Sequence, residues 1–357
     1  MAKSEPIRIG LVGIGRAGGA MHCKELEGRE RQFRIVAACD VMPDRLDEMA
    51  KTYGCNTYTD IKDLIADPDV ELVDIATRSI DHCPQAMLAL KAGKSVFLEK
   101  PISLTYAEAR RLQAAEARSA SKLYVRHNRR YDPTLQHVRE IVDSKLLGDV
   151  YEIKMRVLGF NRRDDWQTLL KFGGGQLLNW GPHLVDAGLQ LMQSEPKRVW
   201  SDLKRIAAAG DAEDHVKIIM QDAKGRVVDV QISGAAAVTE PNYTLLGSRG
   251  AAVVQDGKIK LRYLDPRRKR SSRRANPNTP PTNGYGSQDK LVWIEKEIPI
   301  GPKKKMAFTM IWDDLYRAIR KGAKFPVTTD QAVAVMKVLS DARKGTSFQI
   351  PKPRRKK

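Results

Sequence analysis

The chain has 357 residues, 42% of them apolar, 29% charged and 6% aromatic. That is an ordinary soluble composition, too long for one small core, so two domains are expected. No run of about 18 apolar residues occurs, which excludes a membrane-spanning helix.

Two further exclusions follow from composition. The four cysteines (Cys23, Cys39, Cys55, Cys83) match no metal spacing and read as buried, reduced thiols of a cytoplasmic protein. Much of the net charge of +19 lies in "PRRKRSSRRANPNTPPTNGYGS" (266–287) and in the basic tail (346–357). The first is rich in Pro, Ser and Asn and the tail carries two Pro, and neither has aromatics interleaved among its basic residues. They read as a solvated loop and tail, which argues against a nucleic-acid surface.

"MAKSEPIRIGLVGIG" leads directly into a glycine motif without a cleavage site, so its apolar stretch is a strand and not a signal peptide. The turn that follows is Gly13-Ile14-Gly15-Arg16-Ala17-Gly18, a G-x-G-x-x-G opening a helix. In that setting Gly13 permits the turn, Gly15 lets a pyrophosphate approach the backbone, and Gly18 lets helix and strand pack closely. A second strand, "FRIVAACD", ends in Asp40, 22 residues after Gly18. A carboxylate there accepts from ribose hydroxyls and repels a 2′-phosphate, so NAD is favoured over NADP.

The alternation continues. "RLDEMAKTYG" reads as a helix, "TDIKDLIADPDV" as a short helix and turn, and "ELVDIAT" as a strand. "CPQAMLALKAGK" is a helix and "SVFLEKP" a strand. Strands alternating with helices predict a doubly wound parallel sheet with ligands at its C-terminal edge. His82 and Lys100 sit on loops at that edge. In the second half, "DVYEIKMRVLGF", "DHVKIIMQDAKGRVVDVQISG" and "KIKLRYL" alternate with period two and predict strands.

"GIGRAG", Asp40, "AGKSVFLEKPIS", "RHNRRYDP", "GGGQLLNWGPHLVD", "LLGSRGAAVV" and "DDLYRAIRKGAKFPVTTDQAVAVMKVL" follow one another in an order that resembles the glucose–fructose oxidoreductase/inositol dehydrogenase (Gfo/Idh/MocA) family. The resemblance implies an α/β protein: an N-terminal Rossmann domain (1–125), then an α/β domain built on a large, mostly antiparallel sheet (126–345). It implies a nicotinamide cofactor, a sugar, polyol or related hydroxyl substrate, and a homo-oligomer, dimer or tetramer, paired through the second sheet. Cofactor contacts would come from the glycine turn and Asp40, with Thr77, His82, Glu99, Lys100 and Asn128.

Hydride removal from a carbinol needs a base for the hydroxyl proton and a positive group for the developing alkoxide. The resemblance assigns these services to Lys100, Asn179 and His183, the last two in the "GGG" helix. Asn179 and His183 are four apart and are expected to share one helical face. Lys100, Trp166, Asn179 and His183 are the candidate substrate contacts, with Trp166 stacking on a sugar face. The family commonly has Asp where this chain has Asn179. An amide cannot raise an imidazole pKa as a carboxylate does, so His183 is expected near its ordinary value of about 6.5. That departure keeps two other readings open: a glycoside-cleaving enzyme that recycles tightly bound NAD, and a non-enzymatic NAD- or sugar-binding regulator.

Overall fold

The computed structural model describes residues 5–268, 274–275, 277 and 291–350, so most of the basic 266–287 segment and the tail from 351 lie outside the described residues. The first half is a six-stranded sheet in the order β3-β2-β1-β4-β5-β6. Its strands are β1 (Ile7–Val12), β2 (Phe33–Cys39), β3 (Asn56–Tyr58), β4 (Leu72–Ile75), β5 (Ser95–Glu99) and β6 (Leu123–Arg126). Every pairing is parallel. Strands β1, β4, β5 and β6 are mostly buried and largely apolar, as a sheet covered on both faces requires, whereas the edge strand β3 is largely exposed. Strand order reverses between β1 and β4, which opens a crevice at their C-terminal ends.

Two strands go beyond the sequence reading. β3 has only three residues on the sheet edge. β6 ends in Arg126, which is fully buried because ion pairs to Glu25 and Glu99 replace its hydration.

The second half is an eight-stranded sheet in the order β14-β13-β12-β11-β7-β10-β9-β8. These strands are β7 (Val150–Leu158), β8 (Pro196–Lys204), β9 (His215–Asp222), β10 (Val227–Ser233), β11 (Tyr243–Gly247), β12 (Gly250–Gln255), β13 (Lys258–Leu264) and β14 (Trp293–Pro299). Only the β7–β10 pairing is parallel. The period-two alternation is borne out: Val216, Ile218 and Met220 are buried between half-buried neighbours. One face packs against two helices, Gly181–Met192 and Thr329–Arg343. The latter has a Thr328/Gln331 capping box and also contacts β6, joining the two halves. The helix Met310–Lys321 returns to the first sheet, where Trp312 is buried against Phe33 and Phe97.

Candidate active site

The glycine turn after β1 is closed on one side and open on the other. Gly13 has φ +89°, and a Cβ on Gly18 would lie 2.0 Å from the Gly13 carbonyl oxygen, so helix and strand ends touch. A Cβ on Gly15 would meet no atom within 4 Å. That open face is what a pyrophosphate needs to reach the backbone. Arg16 is exposed beside it, and Ala17 precedes a π-helical turn, Gly18–Cys23. Asp40 accepts the Ile14 N–H at 2.7 Å and the Met42 N–H at 3.0 Å, tying the end of β2 to the turn. Arg45 lies 3.3 Å from both Asp40 oxygens on the outer side. Thr77 packs its methyl against Gly13 and donates its hydroxyl to Gln85 Oε1 at 2.7 Å. The crevice therefore fits a dinucleotide.

Lys100 follows β5, and its bond to Pro101 is cis. Its Nζ donates to the backbone carbonyl of Asn179 at 3.1 Å. The cause lies in the helix opposite. The expected single helix is two: Gln176–Asn179, then Gly181–Met192 with Pro182 in its first turn. Pro182 has no N–H to continue the ladder, and the His183 N–H bonds to the Trp180 carbonyl at 3.0 Å. In a regular helix it would take the Asn179 carbonyl, which is instead left for Lys100. The helix expected to carry Asn179 and His183 is thus broken between them. Asn179 holds the lysine by its main chain, a contact an Asp would make equally well.

His183 packs edge-on against Trp180, ring centroids 5.7 Å apart, and its buried Nδ1 has no hydrogen-bond partner among the described residues. The expectation of an ordinary imidazole is corrected. Burial, then the charges of Lys100, His127 and Arg129, push its pKa well below the usual value. Burial likewise lowers Lys100, against the pull of Glu99. The shift favours the neutral imidazole, which carries one ring lone pair.

The sequence reading missed His127, which is 2% exposed, has an unpartnered Nδ1 and is pushed down by burial to about 4. Also unforeseen was the buried network beneath Lys100. His22, delivered by the π-helical turn, bonds Asp74 at 2.8 Å and Glu99 at 3.2 Å, and Arg126 bonds Glu99 at 2.8 Å. Glu99 also accepts the Lys100 N–H at 3.1 Å. Burial alone would raise the Glu99 pKa, but Arg126, His22 and Lys100 hold it well below the usual range. Its carboxylate is thus turned into this network and supports Lys100 from below. The sequence signal was a run of buried-strand residues ending in a charge, in both "VFLEK" and "LYVRH".

His82 is buried with its ring nitrogens on the carbonyls of Pro101, at 2.7 Å, and Thr77, at 3.1 Å. It ties the two edge loops together. Asn128 is half-buried at the start of a 3-10 turn, and its amide makes no hydrogen bond among the described residues. Trp166 is half-buried in the loop before the glycines; no ring contact or hydrogen bond joins it to Lys100, Asn179 or His183. Arg130 pairs with Asp186 at 2.8 and 2.5 Å and reaches the Pro326 carbonyl at 3.0 Å, a buried clasp between segments far apart in the chain.

A dinucleotide crevice facing a lysine and a neutral histidine defines an oxidoreductase of the nicotinamide-binding class. Residues 7–127 match the model of an oxidoreductase family with an NAD-binding Rossmann fold, and residues 135–253 match the GFO/IDH/MocA C-terminal domain. The chain belongs to the Gfo/Idh/MocA family. It is 30% identical over 259 residues to an inositol 2-dehydrogenase of Rhizobium meliloti, covering 70% of this chain and 76% of that protein. It is 27% identical over 348 residues to an uncharacterized oxidoreductase of Escherichia coli, covering 94% and 95%. A crystal structure of an NAD-binding protein from Listeria innocua superimposes with a TM-score of 0.78 at 22% identity, over 94% of this chain and 93% of that one.

Proposed function

We propose that this protein is an NAD-dependent dehydrogenase acting on a hydroxyl carbon of a sugar, polyol or related carbohydrate. The observation that carries the reading is the Lys100 ammonium bonded across the domain boundary to Asn179, four residues before an uncommitted, neutral His183. His183 accepts the hydroxyl proton, and Lys100 stabilises the negative charge growing on that oxygen. Asn128 and Asn179 offer amides to the substrate or nicotinamide, and Trp166 borders the approach. The glycine turn and Asp40 hold the dinucleotide, whose bound nicotinamide supplies the hydride acceptor. Asp40 disfavours a 2′-phosphate, supporting NAD over NADP, although a 22% identical relative from Bacillus subtilis is named an NADP(+)-dependent scyllo-inositol 2-dehydrogenase.

The inositol dehydrogenases among the relatives support a polyol. A homo-oligomer paired through the second sheet is supported by its outer face. Ser201 points to the helices and bonds the Ala342 carbonyl, so its neighbour Trp200, 54% exposed and in register with Ile219, faces away.

The test is a panel of polyols, sugars and sugar acids with free NAD, after assay of the purified protein for retained cofactor. Net NADH formation that falls by about 10²–10⁴ in Lys100→Met and His183→Asn, with NADH binding retained, supports the reading. Turnover with retained cofactor and no net NADH identifies the cofactor-recycling reaction instead. Unchanged turnover in both variants overturns the assignment.

A further inference from the structure

Glu213, two residues before β9, is a buried carboxylate that the reaction as described does not use. It is 1% exposed. The short helix Gln176–Asn179 has a glycine, Gly175, at its N-cap and no side-chain cap of its own. The first N–H groups of a helix lack partners within it. Here both come from one distant residue: Glu213 accepts the Gln176 N–H on its backbone carbonyl at 3.0 Å and the Leu177 N–H on Oε1 at 2.9 Å. Gly175, at φ +102°, makes the room, because a Cβ there would stand 2.1 Å from Oε1.

The remaining oxygen, Oε2, is buried and bonds to no protein group, and neither does Oε1 of Gln176. Arg343, at the end of the helix Thr329–Arg343 and 5% exposed, has Nε and one terminal nitrogen in the same condition. Its other terminal nitrogen donates to the Leu104 carbonyl at 3.1 Å. Leu104 ends the loop that begins at Lys100, and a Cβ on Gly173 would lie 2.3 Å from its side chain. Glu213 therefore holds the segment that carries Asn179 and His183, while Arg343 holds the segment that carries Lys100.

We propose that Glu213, assisted by Arg343, is a positioning residue: it fixes the start of the Asn179 helix so that the Asn179 carbonyl meets Lys100 and His183 enters the site. This rests on the reading that Lys100 and His183 perform the chemistry. The electrostatics agree with the geometry. Burial pushes the Glu213 carboxyl up to about 7, with Asp214 acting in the same direction and Arg343 and the Leu177 N–H opposing it. A carboxyl in so costly a place serves the helix it caps.

The experiment uses full-length Glu213→Ala, Glu213→Gln and Gly175→Ala. It measures amide exchange by mass spectrometry, NADH affinity by fluorescence, and kcat and KM on the best substrate of the panel. Glu213→Ala is expected to speed exchange of Leu177 to Asn179 at least tenfold and to lower kcat at least tenfold. KM, NADH affinity and exchange in the first sheet should stay within about twofold. Glu213→Gln keeps an acceptor for the Leu177 N–H and recovers most of both losses. Wild-type exchange and kcat in Glu213→Ala, or faster exchange spread over the whole chain, overturns the proposal. If the alanine variant does not fold, Gly175→Ala decides against the proposal: its methyl strains the φ +102° backbone and displaces the carboxylate, so wild-type exchange of the helix in that variant refutes the inference. Glu213→Gln then carries the positive arm. Absence of any turnover by the wild-type protein would count against the dehydrogenase reading, and the exchange data alone would then decide whether Glu213 holds the helix.

Discussion

The glycine turn offers a paired perturbation that separates stability from cofactor binding. In Gly18→Ala the new methyl would fall 2.0 Å from the Gly13 carbonyl oxygen, roughly 1.5 Å inside ordinary contact. The obstacle is backbone and cannot rotate away. Relief requires the helix to lift off the strand, at an overpacking cost of about 1–3 kcal/mol. The lifted turn also seats the pyrophosphate less well; at about 1.4 kcal/mol per tenfold, a similar loss weakens NADH about 10–100-fold.

Gly15→Ala should behave differently. Its methyl meets nothing within 4 Å, and Gly15 is not among the positive-φ glycines. Stability without cofactor should be unchanged, or raised by up to about 1 kcal/mol through the unfolded chain. The methyl nevertheless occupies the approach to the backbone, so NADH affinity should fall at least tenfold. Urea unfolding of the cofactor-free variants and NADH fluorescence titration measure the two effects. Wild-type affinity in Gly15→Ala would refute the assignment of that face to the pyrophosphate, and equal stability of the two variants would refute the packing argument.

Two further outcomes are expected. Asn179→Asp keeps the carbonyl that holds Lys100 but adds a negative charge four residues before His183, which raises the imidazole pKa. The base then stays protonated to higher pH, so the acid limb of the kcat/KM profile moves upward; an unmoved limb would show that His183 is not the base or does not sense position 179. Arg130→Met leaves Asp186 buried without its partner and should lower stability by about 3–5 kcal/mol. Adding Asp186→Leu should recover most of that loss, and a urea midpoint close to wild type in the single variant would show that the clasp does not stabilise the fold.

What the sequence determined by itself was local. The glycine turn, the alternating strands and helices of the first half, the period-two strands of the second and the loop at Lys100 depend on residues a few positions apart and on which face is buried. They were legible for that reason. Position 179 was legible as a candidate, but its contact with Lys100 was not: Pro182 breaks the helix, and the freed main-chain carbonyl meets the lysine. His127, Arg126 and Glu213 passed unnoticed because a buried charge or imidazole is tolerated only by partners far along the chain. The depression of the His183 pKa likewise comes from burial and from three cationic or titratable neighbours on other elements. Tertiary structure alone brings Glu25 and Glu99 to Arg126, Glu213 to Leu177 and Lys100 to Asn179. The physical reason is that desolvation and Coulomb interaction act through space, while sequence periodicity records only which way each residue faces.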